Sequence, residues 1–218
     1  MRTIWLIRHG ESESNAGEVT VSPASPVLSE RGTQQAEEIA ARFPRAPDLL
    51  VVSGYVRTHL TAAPLLRRFP KTKVAEWPIH EFTFLAPARY NGTTIRERRE
   101  PVRAFWERCA PDHYDGEGAE SFGDFMGRVR DCLARLHEES EPFTAVFTHA
   151  YVIKAILWKT LHYGDITSPE FMRGFYAFHQ NLRIPNGTIL PVHLSPQGNL
   201  YTGSPWIPPF SSPAPSVN

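Results

Sequence analysis

Short apolar runs that stop abruptly at polar residues punctuate the first 150 residues of the chain. The runs at 3–7 and 49–52 are continuously apolar, which is typical of strands buried on both faces of a parallel sheet. Residues 143–148 repeat this pattern, and residues 73–77 follow it more weakly. The pattern therefore predicts four strands.

The segments between these runs contain apolar residues at helical spacing. Pro64 is a candidate kink in one of them, and Ser121 has a side chain suited to an N-cap at the start of another. The spacing predicts helices over 34–43, 57–69, 121–139 and 152–161.

The rest of the chain is less regular. Residues 78–118 are rich in proline and surround a charged helical segment at 94–109, which together suggest an insertion over the sheet. Residues 188–194 and 199–202 predict a terminal hairpin. The sequence thus predicts one domain over 1–203, followed by a disordered tail over 204–218, which is rich in Pro and Ser and carries no charged side chain.

The alternation of strands and helices predicts an α/β fold, a three-layer α/β/α sandwich with a mostly parallel central sheet. In such sheets, ligands bind outside the carboxyl ends of the strands. We therefore expect the catalytic or ligand-binding residues to follow directly after the apolar runs.

Composition narrows the classes of function. The chain has 218 residues, 41% of them hydrophobic, and its 23 Lys and Arg balance its 23 Asp and Glu. This balance argues against nucleic-acid or membrane partners, and the absence of a signal-like segment favours the cytoplasm. Cys109 and Cys132 lie far apart, which supports neither a disulfide framework nor a zinc site.

Three apolar strands end in residues whose side chains can take part in catalysis or ligand binding. These are Arg8-His9-Gly10, Ser53 with Arg57 four residues on, and Thr148-His149-Ala150. If these ends converge, two imidazoles and two guanidiniums meet. This composition points to an anion rather than a metal. Phosphate is the natural candidate, because Arg forks match its oxygens and a neutral imidazole is a competent nucleophile.

Five motifs carry a resemblance to a known family; in chain order they are Arg8-His9-Gly10-Glu11-Ser12 with Asn15, Leu28-Ser29-Glu30-Arg31-Gly32 with Gln35-Ala36, Ser53 with Arg57 and Thr61-Ala62, Gly118-Ala119-Glu120-Ser121, and Thr148-His149-Ala150. Their order and their places at strand ends resemble the histidine phosphatase superfamily, also called phosphoglycerate-mutase-like. The resemblance runs from residue 4 to about residue 160.

The resemblance implies a covalent mechanism in which His9 takes the phosphoryl group and forms a phosphohistidine. Glu81 matches the carboxylic acid that protonates the leaving group, with Glu76, Glu11 and Glu13 as rival acids. Arg8, Arg57 and His149 are implied to hold the phosphate oxygens, whereas Asn15 is expected either to bind phosphate or to fix its own loop. No metal and no cofactor are expected.

Two departures from the family pattern are informative. Thr58 stands where Ala usually follows the arginine, and Phe84 stands where glycolytic mutases typically carry a tyrosine. With no obvious long substrate-gripping insertion, this disfavours the glycolytic mutase. Arg96, Arg98 and Arg99 are candidates for contacting a second acidic group, although their pattern favours a solvated, ion-paired face.

The leading hypothesis is therefore a metal-independent phosphatase that hydrolyses a small phosphorylated substrate. A phosphomutase with the same site is the first alternative. The others are a non-catalytic module that binds a phosphorylated ligand and, less favoured, a dinuclear metal hydrolase. The sequence leaves the oligomeric state and the natural substrate open.

Overall fold

The computed structural model describes residues 1–162 and 164–209 of the chain. Within this part, six strands form one mixed sheet: β1 (Arg2–Arg8), β2 (Leu49–Ser53), β3 (Lys73–Trp77), β4 (Phe143–Thr148), β5 (Ile189–Leu194) and β6 (Leu200–Thr202). The strand order is β3-β2-β4-β1-β5-β6. The pairs β3–β2, β2–β4 and β4–β1 are parallel, and β5 is antiparallel to both β1 and β6.

The helices in the described residues are α1 (Glu13–Ala16), α2 (Glu30–Arg42), α3 (Val56–Arg68), α4 (Pro87–Tyr90), α5 (Arg99–Arg108), α6 (Phe122–Glu138), α7 (Ala150–Leu161) and α8 (Pro169–Asn181). On one face of the sheet, α2 and α3 bury Ile39, Phe43 and Leu65. On the other face, α6, α7 and α8 bury a larger apolar cluster together with aromatic residues of 78–118. The predicted three-layer sandwich with a mostly parallel sheet is confirmed.

The strands predicted from apolar runs are confirmed, and their burial explains the pattern. Every residue of β2 and β4 is buried, because these strands lie inside the sheet and are covered by helices on both faces. β3 is an edge strand and mostly exposed, which explains its weaker signal. The predicted terminal hairpin corresponds to β5 and β6.

The helices differ from the predictions at several points. The helix predicted over 34–43 begins earlier, at Glu30, because the Ser29 side chain provides its N-cap. The short helices α1 and α4 were not predicted.

The helix predicted over 94–109 begins only at Arg99, because the Glu97 carboxylate accepts hydrogen bonds from the backbone N and the hydroxyl of Thr94, each at 2.7 Å, and stabilises a turn there. Helix α8 was not predicted. Its signals are an N-cap at Ser168, Pro169 in the first turn, and buried apolar residues on one face.

The packed chain extends beyond Gly203, the boundary predicted for the domain. Trp206 pairs with Ile189 through two backbone hydrogen bonds of 2.8 and 2.9 Å. The Arg42 guanidinium lies 4.7 Å from the centre of the Trp206 ring. The part of the predicted tail around Trp206 therefore contacts the domain, and residues 210–218 lie outside the described residues.

Two glycines allow the loop after β1 to contact the start of α2. A Cβ on Gly32 would lie 1.9 Å from Glu11 O, and a Cβ on Gly10 would lie 2.5 Å from Gly32 O. Ser29 caps α2 through its hydroxyl, which accepts from Gly32 N at 3.1 Å. This close approach fixes the loop that carries His9.

Replacing Gly32 with alanine is expected to lower the free energy of unfolding by about 1–3 kcal/mol, because the new Cβ overlaps the backbone of Glu11. Urea unfolding followed by circular dichroism measures the change. Gly127 of α6 is the matched control, since a Cβ there meets no atom within 4 Å. Gly127→Ala should stabilise by roughly 0.5–1 kcal/mol, and equal effects of the two substitutions would contradict the packing argument.

Candidate active site

The carboxyl ends of β1, β2 and β4 bring residues of three motifs to one place. His9 follows β1, Ser53 ends β2 and His149 follows β4. His9 N donates to Thr148 O at 3.0 Å, which ties two of these strand ends together. The rings of His9 and His149 are both buried, with their centroids 5.0 Å apart.

Arg57, in the first turn of α3, bridges the two imidazoles. Its Nε donates to His9 Nε2 at 3.2 Å and its Nη2 donates to His149 Nδ1 at 3.1 Å. The third nitrogen, Nη1, donates to Pro23 O at 2.7 Å. The guanidinium also lies 4.7 Å from the centre of the Tyr55 ring. These contacts fix the orientation of Arg57 relative to both histidines.

The protonation state of His9 follows from its partners. Its Nδ1 lies 2.6 Å from Gly10 O, and because a carbonyl oxygen only accepts, Nδ1 carries the proton. Nε2 then has a lone pair, consistent with its contact to the Arg57 donor. Burial, followed by the charges of Arg57 and Arg8, lowers the pKa of His9 well below its ordinary value of 6.5. The ring is therefore a neutral base at neutral pH.

His149 is held in the opposite tautomer. Because Arg57 donates to Nδ1, the proton is on Nε2, which donates to Ser53 Oγ at 2.8 Å. Burial and then the charge of Arg57 lower the pKa of His149 well below 6.5. The Thr58 hydroxyl, buried 3.1 Å from Ser53 Oγ, completes the network. Thr58, which stands where the family usually has Ala, thus contacts the serine that holds His149. The sequence pattern alone did not indicate this contact.

Arg8 ends β1 beside this pair. Its Nη1 donates to Ile184 O at 2.6 Å, whereas its buried Nε has no acceptor among the described residues. Burial lowers the pKa of Arg8 to about 10, and Glu81 acts in the opposite direction. The side chain therefore remains a cation at neutral pH, with a donor available for an anion.

Glu81 faces the same cavity as His9. One oxygen, Oε1, accepts from the backbone N of Phe82 at 3.2 Å and of Tyr151 at 3.1 Å. Burial raises the pKa of Glu81 above its ordinary 4.5, and Arg57 and Arg8 partly oppose this effect. A carboxyl group that protonates more easily than usual can exchange a proton with a ligand in this cavity.

The three rival acids lie elsewhere. Glu11 accepts a hydrogen bond from Ser29 Oγ at 2.9 Å. Glu76 is exposed and pairs with His59 at 3.3 Å, and Glu13 is exposed at the start of α1. Among the described residues that line the cavity, Glu81 is the carboxylate.

Asn15 lines the cavity and also fixes its loop. Its Oδ1 accepts from Ser12 Oγ at 3.1 Å and from Asn186 Nδ2 at 3.0 Å. The same Asn186 nitrogen lies 3.1 Å from His9 O, so it is the amide donor and Asn15 must present its oxygen to it. Asn186 was not a candidate from the sequence, because it lies 171 residues from Asn15 and no motif there indicates a contact with the His9 loop.

The site opens into a cavity of about 860 Å³. The predicted insertion contributes one wall, including Phe84, Leu85 and Tyr90. Another part of the lining comes from α7 and α8 and includes Lys154 and His179. These two were missed, because Lys154 lies in an apolar helical run and α8 was not predicted.

The remaining candidates are spread around this cavity. Arg96 is exposed, as the pattern favoured, and Arg99 is exposed at the rim. Arg98 instead donates to Thr93 O at 2.9 Å and to Thr20 Oγ1 at 3.2 Å, and thereby ties the insertion to the loop after α1. His80 lies beside the site, its ring 5.3 Å from that of Tyr55.

In residues 1–162 and 164–209, no three His, Cys, Asp or Glu side chains are grouped so that they could share a metal ion. In the same residues, no helix has the length and hydropathy needed to span a bilayer.

Curated relatives with similar sequences are phosphatases. The chain is 30% identical over 140 residues to the adenosylcobalamin/alpha-ribazole phosphatase of Salmonella typhi, which covers 61% of this chain and 66% of the relative. The protein of the same name from Escherichia coli (strain K12) is 30% identical over 142 residues, covering 62% and 66%. The chain thus matches just under two thirds of the length of these relatives.

Solved structures share the fold across nearly the whole chain. The alpha-ribazole phosphatase of Shigella flexneri superposes with a TM-score of 0.71 at 21% identity, covering 92% of this chain and 95% of its own. Phosphoserine phosphatase of Entamoeba histolytica, in complex with 3-phosphoglyceric acid, gives a TM-score of 0.70 at 20% identity, covering 96% and 98%. The sequence profile of the histidine phosphatase superfamily (branch 1) matches residues 4–177. The chain therefore belongs to the histidine phosphatase superfamily, branch 1.

Proposed function

We propose that the chain is a phosphoric monoester hydrolase that works through a phosphohistidine on His9. The observation that carries this proposal is the orientation of the His9 ring. His9 Nδ1 donates to Gly10 O at 2.6 Å, which leaves a lone pair on Nε2, the nitrogen beside Arg57. A neutral imidazole held this way is a nucleophile that needs no base to activate it.

In the first step, His9 Nε2 attacks phosphorus and forms a P–N bond while the P–O bond to the leaving group breaks. The protonated Glu81 carboxyl gives its proton to the leaving oxygen, so an alcohol departs. In the second step, the Glu81 carboxylate takes a proton from water, whose oxygen attacks phosphorus. The P–N bond breaks, phosphate forms, and both residues return to their initial states.

The phosphate oxygens are held by groups that surround His9. Arg57 and Arg8 supply charged donors, and Arg8 Nε has no acceptor among the described residues. His149 stays neutral and acts through Arg57, because its Nδ1 accepts from Arg57 Nη2 and helps to orient that guanidinium. Asn15 supplies an amide from the cavity wall. Because these donors are already in position, they need not reorient when negative charge spreads over the three phosphoryl oxygens in the transition state.

The substrate is a small phosphorylated molecule. The names of similar proteins support this class: alpha-ribazole phosphatase, phosphoserine phosphatase and a mycobacterial glucosyl-3-phosphoglycerate phosphatase all act on small phosphate esters. A cytoplasmic location is part of the proposal. It is supported by Cys109 and Cys132, which are both free thiols, as is usual in a reducing compartment.

The test is hydrolysis of p-nitrophenyl phosphate with and without a chelator, with product analysis by phosphorus NMR. We expect release of inorganic phosphate that the chelator does not reduce. Activity that is lost in chelator and restored by divalent metal would support the dinuclear hydrolase instead. Phosphoryl transfer back to an alcohol without net hydrolysis would support the mutase, and binding without any turnover would support the phospho-ligand module.

A further inference from the structure

The cavity carries more positive charge than a phosphate group requires. Among the described residues that line it, one side chain is acidic, Glu81, and six are basic. The basic side chains are Arg8, Arg57, Arg98, Arg99, Lys154 and Arg183. The chain as a whole has no net charge, so this imbalance is local. A phosphate monoester carries at most two negative charges. The excess suggests that the ligand has a further anionic group.

Lys154 of α7 is the most unusual of these cations. The residue is only 7% exposed, and its Nζ donates to His179 O at 2.9 Å and contacts His179 Nδ1 at 3.3 Å. Burial, followed by Lys154 and Arg8, lowers the pKa of His179 to about 3, so this ring is neutral. The ammonium therefore contacts neutral groups of a single residue and forms no ion pair with a carboxylate of the described residues.

A buried ammonium without a counter-ion is costly unless a ligand supplies the charge. Lys154 has three N–H donors, and both of its contacts belong to His179. Burial and then Arg8 lower the pKa of Lys154 to about 8, and the charge of Glu81 acts in the opposite direction without forming an ion pair with Nζ, so Lys154 remains mostly protonated at neutral pH. The side chains of Lys154, Arg183 and Arg8 line the same cavity as His9.

We propose that Lys154, in a cavity that Arg183 also lines, forms a second anion subsite that selects phosphate esters carrying another acidic group on the leaving alcohol. This subsite extends the proposed function and rests on it for the position of the phosphate. The acidic group is a carboxylate or a second phosphate, since both accept charged hydrogen bonds.

The test compares two ligands that differ at one carbon: 3-phosphoglycerate carries a carboxylate where glycerol 3-phosphate carries a hydroxymethyl group. Dissociation constants are measured by calorimetry in the His9→Ala protein, so that the ligand persists. We expect 3-phosphoglycerate to bind at least about 10-fold more tightly. Lys154→Met should bring this ratio close to one, and Lys154→Arg should retain most of it. A bisphosphate and monophosphate of propane-1,3-diol form a second pair for the phosphate alternative.

Lys159→Met is the matched control, since Lys159 is on the same helix but does not line the cavity, and it should leave both ratios unchanged. A purely structural Lys154, which only caps the carbonyl of His179 near the end of α8, would shift the urea midpoint of Lys154→Met but leave both ligand ratios unchanged. That result, or an absence of preference for either acidic ligand, overturns the subsite. Because binding is read without turnover, failure of the hydrolase proposal is seen separately, in the p-nitrophenyl phosphate assay of the wild type.

Discussion

Replacing His9 with alanine is expected to lower kcat for phosphate-ester hydrolysis by about 10⁴-fold or more, since loss of a nucleophile removes the covalent route altogether. The structure gives the reason. Arg57 donates to one nitrogen of each imidazole, but His9 lines the cavity and its Nε2 carries a lone pair. His149 is not among the residues that line the cavity, and its Nε2 carries a proton directed at Ser53. His149 is therefore not positioned to replace His9.

Two measurements check this prediction. Steady-state turnover of p-nitrophenyl phosphate gives the loss in kcat, and rapid quenching in base after mixing with ³²P-labelled substrate should trap a base-stable, acid-labile label in the wild type only. His59→Ala is the matched control, because His59 lies exposed on α3 and pairs with Glu76. Equal labelling of the His9→Ala protein would contradict the assignment and point to another nucleophile.

The sequence predicts those strands and helices whose position follows from a single local pattern, such as a continuous apolar run or an N-cap residue. Strands β2 and β4 are buried throughout and mostly apolar because both of their faces are covered. Ser121 caps α6, since its side chain accepts from Asp124 N. Helix α8 was missed although its N-cap, Ser168, has the same chemistry. The start of α5 was misplaced because a local bond between Thr94 and Glu97 competes with the helix.

Some residues of the candidate site were predicted from the sequence, and others were not. His9, Arg57 and His149 follow strands or begin a helix beside them, so sheet topology alone brings them together. The partners that orient them were hidden, because Gly10 O is a backbone atom and Asn186 is far away in sequence. Lys154 was hidden for another reason, as it occupies a helical position among apolar residues and only the fold reveals its cavity.

Replacing Glu81 with glutamine is expected to lower kcat for alkyl phosphates by about 10²- to 10⁴-fold. An alkoxide is a poor leaving group unless it is protonated. Among the described residues that line the cavity, Glu81 has the carboxyl group that can supply this proton. Hydrolysis of p-nitrophenyl phosphate should fall less, because nitrophenolate leaves without a proton. Glutamine retains the oxygen that accepts from Tyr151 N and Phe82 N, so the loop is expected to stay in place.

The pH profile distinguishes proton transfer from a structural effect. Burial raises the pKa of Glu81, so the acid form persists above pH 4.5 and kcat for an alkyl ester should decline as pH rises through the raised value. Because the pKa of His9 is lowered, the nucleophile stays neutral in mild acid and does not oppose this trend. In Glu81→Gln this decline should disappear, whereas Glu76→Gln, at an exposed acid outside the cavity, should retain it. A decline that persists unchanged in Glu81→Gln would assign the proton to another group.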